Sequence, residues 1–430
     1  MNDTLIALTR RLDEQQRVLS RLDSYAAGTQ PLAYLSADAR QAIGAGFGHL
    51  SVNVPRVLVN SLAERLRVTG FHGIDVEADW HRMDLDQYAG VVHREALTLG
   101  RSAVIVWADE SGEPTATPES AHRVAVQRDP ATGRVTAAVK RWVAGGHAHA
   151  SLFLPDRVQL FTSKARVEDP AALPATGWNQ TNTLDNPLGI VPVVPFIHTD
   201  RLGDTDGRSC FDDAIPLVDA LNKTLADLMV GSEYYARPRR WATGVELPED
   251  SDGEVVNPFT EQVRMMIAEN PDAKFGSLPA ADLASYEAAV GVLTAQIKAV
   301  TGLPEHSLGV RSNQPPSADA LRADEAGLTA RAEAIQQSFG RSWEEVARLV
   351  HAVRHGSDPA SLAPRVRWAD PATRSEAQSA DAVVKLYQSG LLPADYALAR
   401  LGYSEDDIAT IRAARRTEAL DTLALGGGEQ

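Results

Sequence analysis

Leucines recur at helical spacing from the start of the chain. Leu5, Leu8, Leu12, Leu19 and Leu22 share one face, so the spacing predicts a helix over 3–24 with Asp3 at its start. Gly28-Thr29-Gln30-Pro31 breaks the pattern. Val54, Leu58, Leu62 and Leu66 predict a second helix over 54–67, with Pro55 suited to its first turn. A third is expected over 82–99, stopping at Gly100. From 101 to 200 the pattern changes to short strands and turns. Segments 103–107, 123–127, 135–143 and 148–154 read as strands, and Asp129-Pro130-Ala131-Thr132-Gly133 and Gly145-Gly146 mark turns. An antiparallel meander follows from this order. A polar, Pro-rich stretch comes next. In 189–196, Pro192 and Pro195 restrict the segment to an edge or connecting strand.

Helical spacing then returns at greater length. Ile215, Val218, Leu221, Leu225 and Leu228 place a long helix within 209–235, which Pro238 ends. Residues 238–280 are short-range and mixed, with Met265-Met266-Ile267 as their apolar centre. Tyr286, Val290, Leu293, Ile297 and Val300 predict a helix over 281–301, closed by Gly302 to Pro304. Two long helices therefore flank a small insertion. A loop over 303–316 holds Gly309, Pro315 and Pro316. Ser317 starts a third long helix, with Leu321, Leu328, Ile335, Phe339, Val346 and Val350 as its stripe to about 354. Residues 357–430 are expected to hold two or three short helices and a disordered glycine tail from Gly426.

Composition narrows the class. The chain has 430 residues, enough for two to four domains at roughly 100–200 residues each. Apolar residues make up 44% and charged residues 23%, as in folded proteins. No apolar run approaches the roughly 18–20 residues that span a bilayer, and no membrane association is expected. Met1 to Arg10 is polar and has no signal core. Cys210 is the only cysteine, which excludes an internal disulfide and any cysteine-based zinc site and fits a reducing compartment. The formal charge of −15 argues against tight duplex binding over the whole surface. It does not oppose DNA that must slide past without sticking.

Candidate chemistry is sparse. There is no G-x-x-x-x-G-K-[ST] or G-x-G-x-x-G sequence, and Gly44-Ala45-Gly46-Phe47-Gly48 lacks the lysine and follows no predicted strand. His147 and His149 share a strand face where a metal pair is geometrically allowed, but an exposed strand beside a turn explains them as well. Asp204, Asp206, Asp212, Asp213, Asp219, Asp227 and Glu233 face only Arg208 and Lys223 across 203–236. They form either a solvated helix face or the acidic lining of a channel. Arg237, Arg239 and Arg240 beside Trp241 can meet a phosphate backbone or an acidic partner, or complement a helix C-terminus. Arg311, Asn313 and Gln314 lie in the 303–316 loop, which is either functional or a plain connector.

An ordered set of segments carries a family resemblance. It comprises Gln30-Pro31-Leu32-Ala33-Tyr34-Leu35-Ser36, then Val52-Asn53-Val54-Pro55-Arg56 running on through Val59 to Leu66. Asn186-Pro187-Leu188-Gly189 with 191–196 follows. Next come Gly207-Arg208-Ser209 with 215–224, Ala236 to Trp241 and Gly244, then Thr301-Gly302-Leu303-Pro304 with 316–322. Ser389 to Pro393 with Leu401 to Ser404 completes it. These segments span nearly the whole chain, and their order resembles the portal proteins of tailed bacteriophages, specifically siphophage portals of the actinobacteriophage type.

The resemblance implies an α+β portal fold. Its parts would be a mixed wing over 1–206, stem helices over 207–237 and 281–302, and a clip over 238–280. A tunnel loop over 303–316, a long wing helix over 317–356 and a small helical crown with a disordered tail over 357–430 would complete it. It implies a homo-oligomeric ring, a dodecamer in the family pattern, at one capsid vertex of the virion, assembled in the host cytoplasm. Double-stranded DNA would pass through the channel during packaging and ejection. The terminase large subunit, a head-tail adaptor, the major capsid protein and the scaffold would be partners. The resemblance places Arg311, Asn313 and Gln314 at the DNA channel, Asp212, Asp213, Asp219, Asp227 and Glu233 on the stem lining, and Arg237, Arg239, Arg240 and Arg264 at clip contacts. No enzymatic activity, cofactor or metal is expected, because a separate motor hydrolyses ATP. The alternatives are another virion structural protein, such as a minor capsid or adaptor protein, or a hydrolase using an Asp/His pair.

Overall fold

The structure is a computed structural model. It describes residues 3–34, 51–167, 173–174, 176–236, 240–244, 270–277, 284–309, 317–372, 376–403 and 405–426. The chain divides into two units, Met1–Pro371 and Ala372–Gln430. The architecture is mixed helix and strand, as the sequence pattern predicts.

The first unit is layered. Helix α1 (Asp3–Ala27) lies on one face of a five-stranded antiparallel meander. The meander runs in chain order through β4 (Val124–Arg128), β5 (Val135–Ala144), β6 (His147–Phe153), β7 (Arg157–Arg166) and β8 (Trp178–Asp185). Leu5, Leu8 and Leu12 pack on Ala125, Ala137, Val139, Ala148, Ala150 and Leu152. The run of small alanines lets the helix approach the pleat closely. The opposite face of the meander, through Ala138, Phe153 and Val158, meets a three-stranded sheet. That sheet holds β2 (Arg101–Ala108) between β3 (Pro114–Ser120) and β9 (Val193–Ile197). The proline-bearing strand β9 is an edge strand, as expected.

Strand β2 is buried on both faces. Ala103 and Ile105 point toward the meander, while Val104 and Val106 enter the main helical core. This double burial explains its unbroken apolar run. The main core gathers the second half of α1 with α2 (Val54–Ala63), α4 (Leu85–Leu99) and the long helix α7 (Ala318–His355). Aromatic rings fill its centre. Trp343 lies 5.0 Å from Trp80 and 4.6 Å from Phe196, edge to face in both cases. His93 is fully buried among them and accepts a 2.8 Å hydrogen bond from Trp343 Nε1 at its Nε2. The proton therefore sits on Nδ1, which approaches the Leu66 backbone without full hydrogen-bond geometry. Burial pushes this imidazole down to about 3, so it stays neutral.

Several boundaries differ from the sequence reading for local reasons. The helix expected over 82–99 starts only at Leu85, as α4, because Asp84 is in the left-handed region, and Arg82 instead ends a separate short helix, α3 (Glu77–Arg82). The helix expected over 54–67 stops at Ala63, because Val68–His72 forms β1 and pairs with β12 (Arg365–Trp368). Pro216 sits in the first turn of α5 (Ile215–Ala236), so the preceding residues form a short 3-10 turn instead of helix. Strands β7 and β8 occupy the stretch read only as polar and Pro-rich. Strand β8 is almost wholly exposed, and its backbone pairing with β7 defines it.

Helix α7 starts where predicted. The Ser317 hydroxyl accepts from the Ala320 N–H at 3.2 Å, and Gly356 closes the helix in the left-handed conformation. The second unit holds α8 (Glu376–Gln388), α9 (Ala394–Arg400) and α10 (Glu405–Gly426). The last of these is longer than the expected short helices and includes Gly426.

Candidate functional site

Two helices and a hairpin stand out from the layered body. Helix α5 leads to β10 (Arg240–Thr243), which pairs antiparallel with β11 (Lys274–Ser277), and α6 (Ala284–Thr301) returns alongside α5. Leu221, near the start of α5, and Ile297, near the end of α6, line one apolar hollow with Val54 and Val57. The helices are therefore antiparallel and rooted in the main core at that end. Farther out they lose their cover. Met229 and Val292 are exposed, and Glu287 and Lys298 are the only charged residues of α6. Trp241 lies across Gly276, where an added Cβ would fall 2.5 Å from the indole. That close crossing requires glycine.

The acids of this region divide sharply. Arg208 donates to Asp212 at 3.1 Å and also to Asp213. The Asp212 bond holds the guanidinium pKa up against burial, with Asp213 adding to it. Lys223 pairs with Asp227 one turn along α5. Asp219 is different. It is buried, and both its oxygens accept from the Tyr25 hydroxyl at 2.9 Å. Burial raises the Asp219 carboxyl, and burial followed by Asp219 itself raises Tyr25 to about 12. Asp219 thus faces into the chain and not outward with the other acids. Asp206 pairs with Arg11. The backbone of Glu233 lies in α5, but its side chain is outside the described residues, as are Arg237, Arg239, Arg264, Arg311, Asn313 and Gln314. Arg240 pairs with Ser277 through the backbone ladder.

The end of α6 is fastened to α7 by a cluster that sequence reasoning missed. Lys298 Nζ reaches Asp324 at 2.7 Å and Glu305 at 2.9 Å. The other oxygen of Asp324 accepts the Glu305 N–H at 2.9 Å. Burial opposes ionisation of Asp324, but Lys298 and that N–H outweigh it and hold the carboxyl below its usual range. Arg331 donates to the carbonyls of Thr301 and Val300, which α6 leaves unpaired. Arg65 meets Glu325 at 3.4 Å. These groups tie the backbone at Val300, Thr301 and Glu305 to α7. The partners lie far apart in sequence, so no local motif announces them.

Beside this cluster a cavity of about 380 Å³ is lined by His198, Asp200, Cys210, Asp213, Arg331 and Ser338 among others. Burial pushes the Cys210 thiol pKa up, which keeps it protonated and a poor nucleophile. The His147/His149 pair is engaged locally. His149 Nδ1 meets Thr162 Oγ1 and its Nε2 meets the Ala144 carbonyl, both at 3.2 Å, while His147 Nδ1 meets the Ser163 carbonyl. Among the described residues, no group of three or more His, Cys, Asp or Glu is arranged to hold a metal.

The family described as "Phage portal protein, SPP1 Gp6-like" matches residues 58–420. The portal proteins of Mycobacterium phage L5 and Mycobacterium phage D29 are each 30% identical, over 403 and 408 residues, covering 87% of this chain and 81% of theirs. Among solved structures, the neck of the native gene transfer agent particle computed with C12 symmetry has a TM-score of 0.48 at 14% identity, covering 90% of this chain and 99% of that one. The virion of the native gene transfer agent particle has a TM-score of 0.47 at 13% identity, with 90% and 99% coverage. The chain belongs to the phage portal protein family. Portal proteins are structural components of the virion, and the resemblance to portals of the actinobacteriophage type is borne out.

Proposed function

We propose that this chain assembles into a closed ring at one capsid vertex and forms the channel through which double-stranded DNA enters and leaves. The observation that carries this reading is the helix pair α5 and α6 bracketing the β10–β11 hairpin, in a chain of portal family membership. On this reading 207–237 and 281–302 are the stem, 238–280 the clip and 303–316 the tunnel loop. Residues 1–206 and 317–356 make the wing, and 357–430 the crown. A cyclic ring needs two different complementary faces on each chain. The sparsely charged, exposed flank of α6 suits one of them.

Asp212, Asp213, Asp227 and Glu233 belong to the proposed stem lining, while Asp219 serves internal structure. Acidic walls repel phosphate, so DNA slides without parking, and the few basic and amide groups at 311–314 guide it through loose, screened contacts. The clip arginines 237, 239, 240 and 264 meet the terminase large subunit and then the head-tail adaptor. The major capsid protein and scaffold contact the outer body during assembly in the host cytoplasm. ATP hydrolysis belongs to the motor, and this chain performs no chemistry of its own.

Negative-stain electron microscopy with mass measurement in solution tests the proposal. Rings with an axial opening wide enough for duplex DNA, about 20 Å, are expected. A chain that stays monomeric or dimeric at high concentration and across salt, even with scaffold and capsid protein present, would overturn it.

A further inference from the structure

We propose that His351 and His355, at the C-terminal end of α7, form a binding site for a borderline transition-metal cation such as Cu²⁺, Ni²⁺ or Zn²⁺. The two residues are one helical turn apart, so they share a face, and their ring centroids lie 4.3 Å apart. Two imidazoles on one tetrahedral ion, at about 2.0–2.1 Å per bond, place their nitrogens about 3.3 Å apart. The two rings are close enough on one helix face for both to reach a single ion.

Four surrounding features favour a cation here. His351 Nδ1 lies 3.2 Å from the Ser357 hydroxyl, which fixes the ring and leaves Nε2 available. Asp75 lies close enough to act electrostatically on His351. The competing cation on the same turn, Arg354, is held away by Asp79 and by Glu113 at 2.6 Å. The carbonyl end of α7 adds a favourable local field. By contrast, both ring nitrogens of His149 are engaged by neighbours.

The described residues offer no third protein ligand in a ready-made cluster. The site is therefore a two-imidazole chelate whose remaining positions are taken by water or by a group from another chain. Such a site follows the order Cu²⁺ above Ni²⁺ and Zn²⁺, with Mg²⁺ excluded by its preference for oxygen ligands. Both ligands are within reach only when the last turn of α7 is helical, so binding stabilises that turn.

The experiment is titration of the full chain with CuCl₂, followed by calorimetry and by electron paramagnetic resonance, with MgCl₂ as competitor. Nitrogen hyperfine structure from bound Cu²⁺ is expected, unaffected by excess Mg²⁺. Losing an outer-shell partner of a metal site costs about 10–100-fold in affinity, so His351→Gln and His355→Gln should each weaken binding at least ~10-fold. The His147→Gln/His149→Gln double variant should bind as the parent does. Absence of binding, retention of full affinity in either single variant, or loss in the double variant would overturn the assignment.

Discussion

Gly207 packs backbone to backbone against Gly100. A Cβ built on Gly207 would stand 2.0 Å from the Gly100 carbonyl oxygen, and both residues have positive φ. The same carbonyl accepts the His198 N–H at 2.9 Å, and the Arg208 N–H donates to the His198 carbonyl at 2.8 Å. This crossing directs the chain from the sheets into α5.

Gly207→Ala should therefore destabilise strongly, because left-handed strain of about 1–2 kcal/mol adds to a backbone clash that no side-chain rotation relieves. Gly189→Ala, also at positive φ but in open space, should show the strain alone, about 1 kcal/mol. Denaturant unfolding of the two variants checks the difference. Equal losses would mean that the crossing relaxes freely.

A second expectation concerns Arg141. Its side chain is buried at 1% exposure under α1 and meets Asp13 at 2.5 Å. Asp13→Ala leaves an uncompensated buried charge and should cost about 3 kcal/mol, at the low end for such a loss because Asp13 itself is partly exposed. The Asp13→Leu/Arg141→Met double variant should regain most of that stability. Thermal unfolding measures both.

The Tyr25–Asp219 pair sets a pH signature. The proton is bound more tightly by both groups in the folded protein than in the unfolded chain. The contribution of Tyr25 is thus present up to about pH 10, the ordinary tyrosine value, and is lost as pH rises toward about 12. That of Asp219 is lost as pH climbs from the ordinary carboxylate range through its raised value. Tyr25→Phe strands a buried carboxylate and should cost about 1–3 kcal/mol at neutral pH. Asp219→Asn should cost little or nothing there and flatten the acid limb. Ultraviolet titration of the phenolate, with Tyr25→Phe as reference, reads the tyrosine directly.

Asp324 gives the opposite sign. Its carboxyl is lowered, so its contribution is present above the ordinary carboxylate range and lost as pH falls through the lowered value. Asp324→Asn should differ from the parent at neutral pH, and the two should converge in acid. Stability curves at pH 7 and pH 3 test the convergence.

If the proposed tunnel-loop assignment holds, deleting 310–314, beyond the anchored turn at Glu305–Leu308, should leave ring assembly intact and impair DNA packaging or retention. Electron microscopy of the deleted protein, with a packaging assay, separates the two effects. Loss of rings would make the loop structural.

Helices with a dominant apolar stripe are legible in the amino-acid sequence itself. Leu5 to Leu22 and Leu328 to Val350 announce α1 and α7, and Ser317 marks its own cap. Strand β8 is not legible there, because its residues face solvent and only pairing with β7 defines it. The 3-10 turn at Asp212–Ala214 shortens the helix expected within 209–235, because Pro216 fits only its first turn. The acids of α5 are visible as a run, but no sequence pattern separates Asp219, which turns inward to Tyr25, from Asp227, which pairs with Lys223. The Lys298, Glu305 and Asp324 cluster has no sequence signal because tertiary contact alone joins its members.

Helix α1 belongs to two cores at once. Its first three leucines sit on the meander, while Leu19, Leu22 and Tyr25 enter the helical core beside α5. At 1.5 Å per residue its 25 residues span about 37 Å. A continuous rod gripped at both ends acts as a stiff spoke. The meander and the foot of α5 are therefore joined by one unbroken helical element.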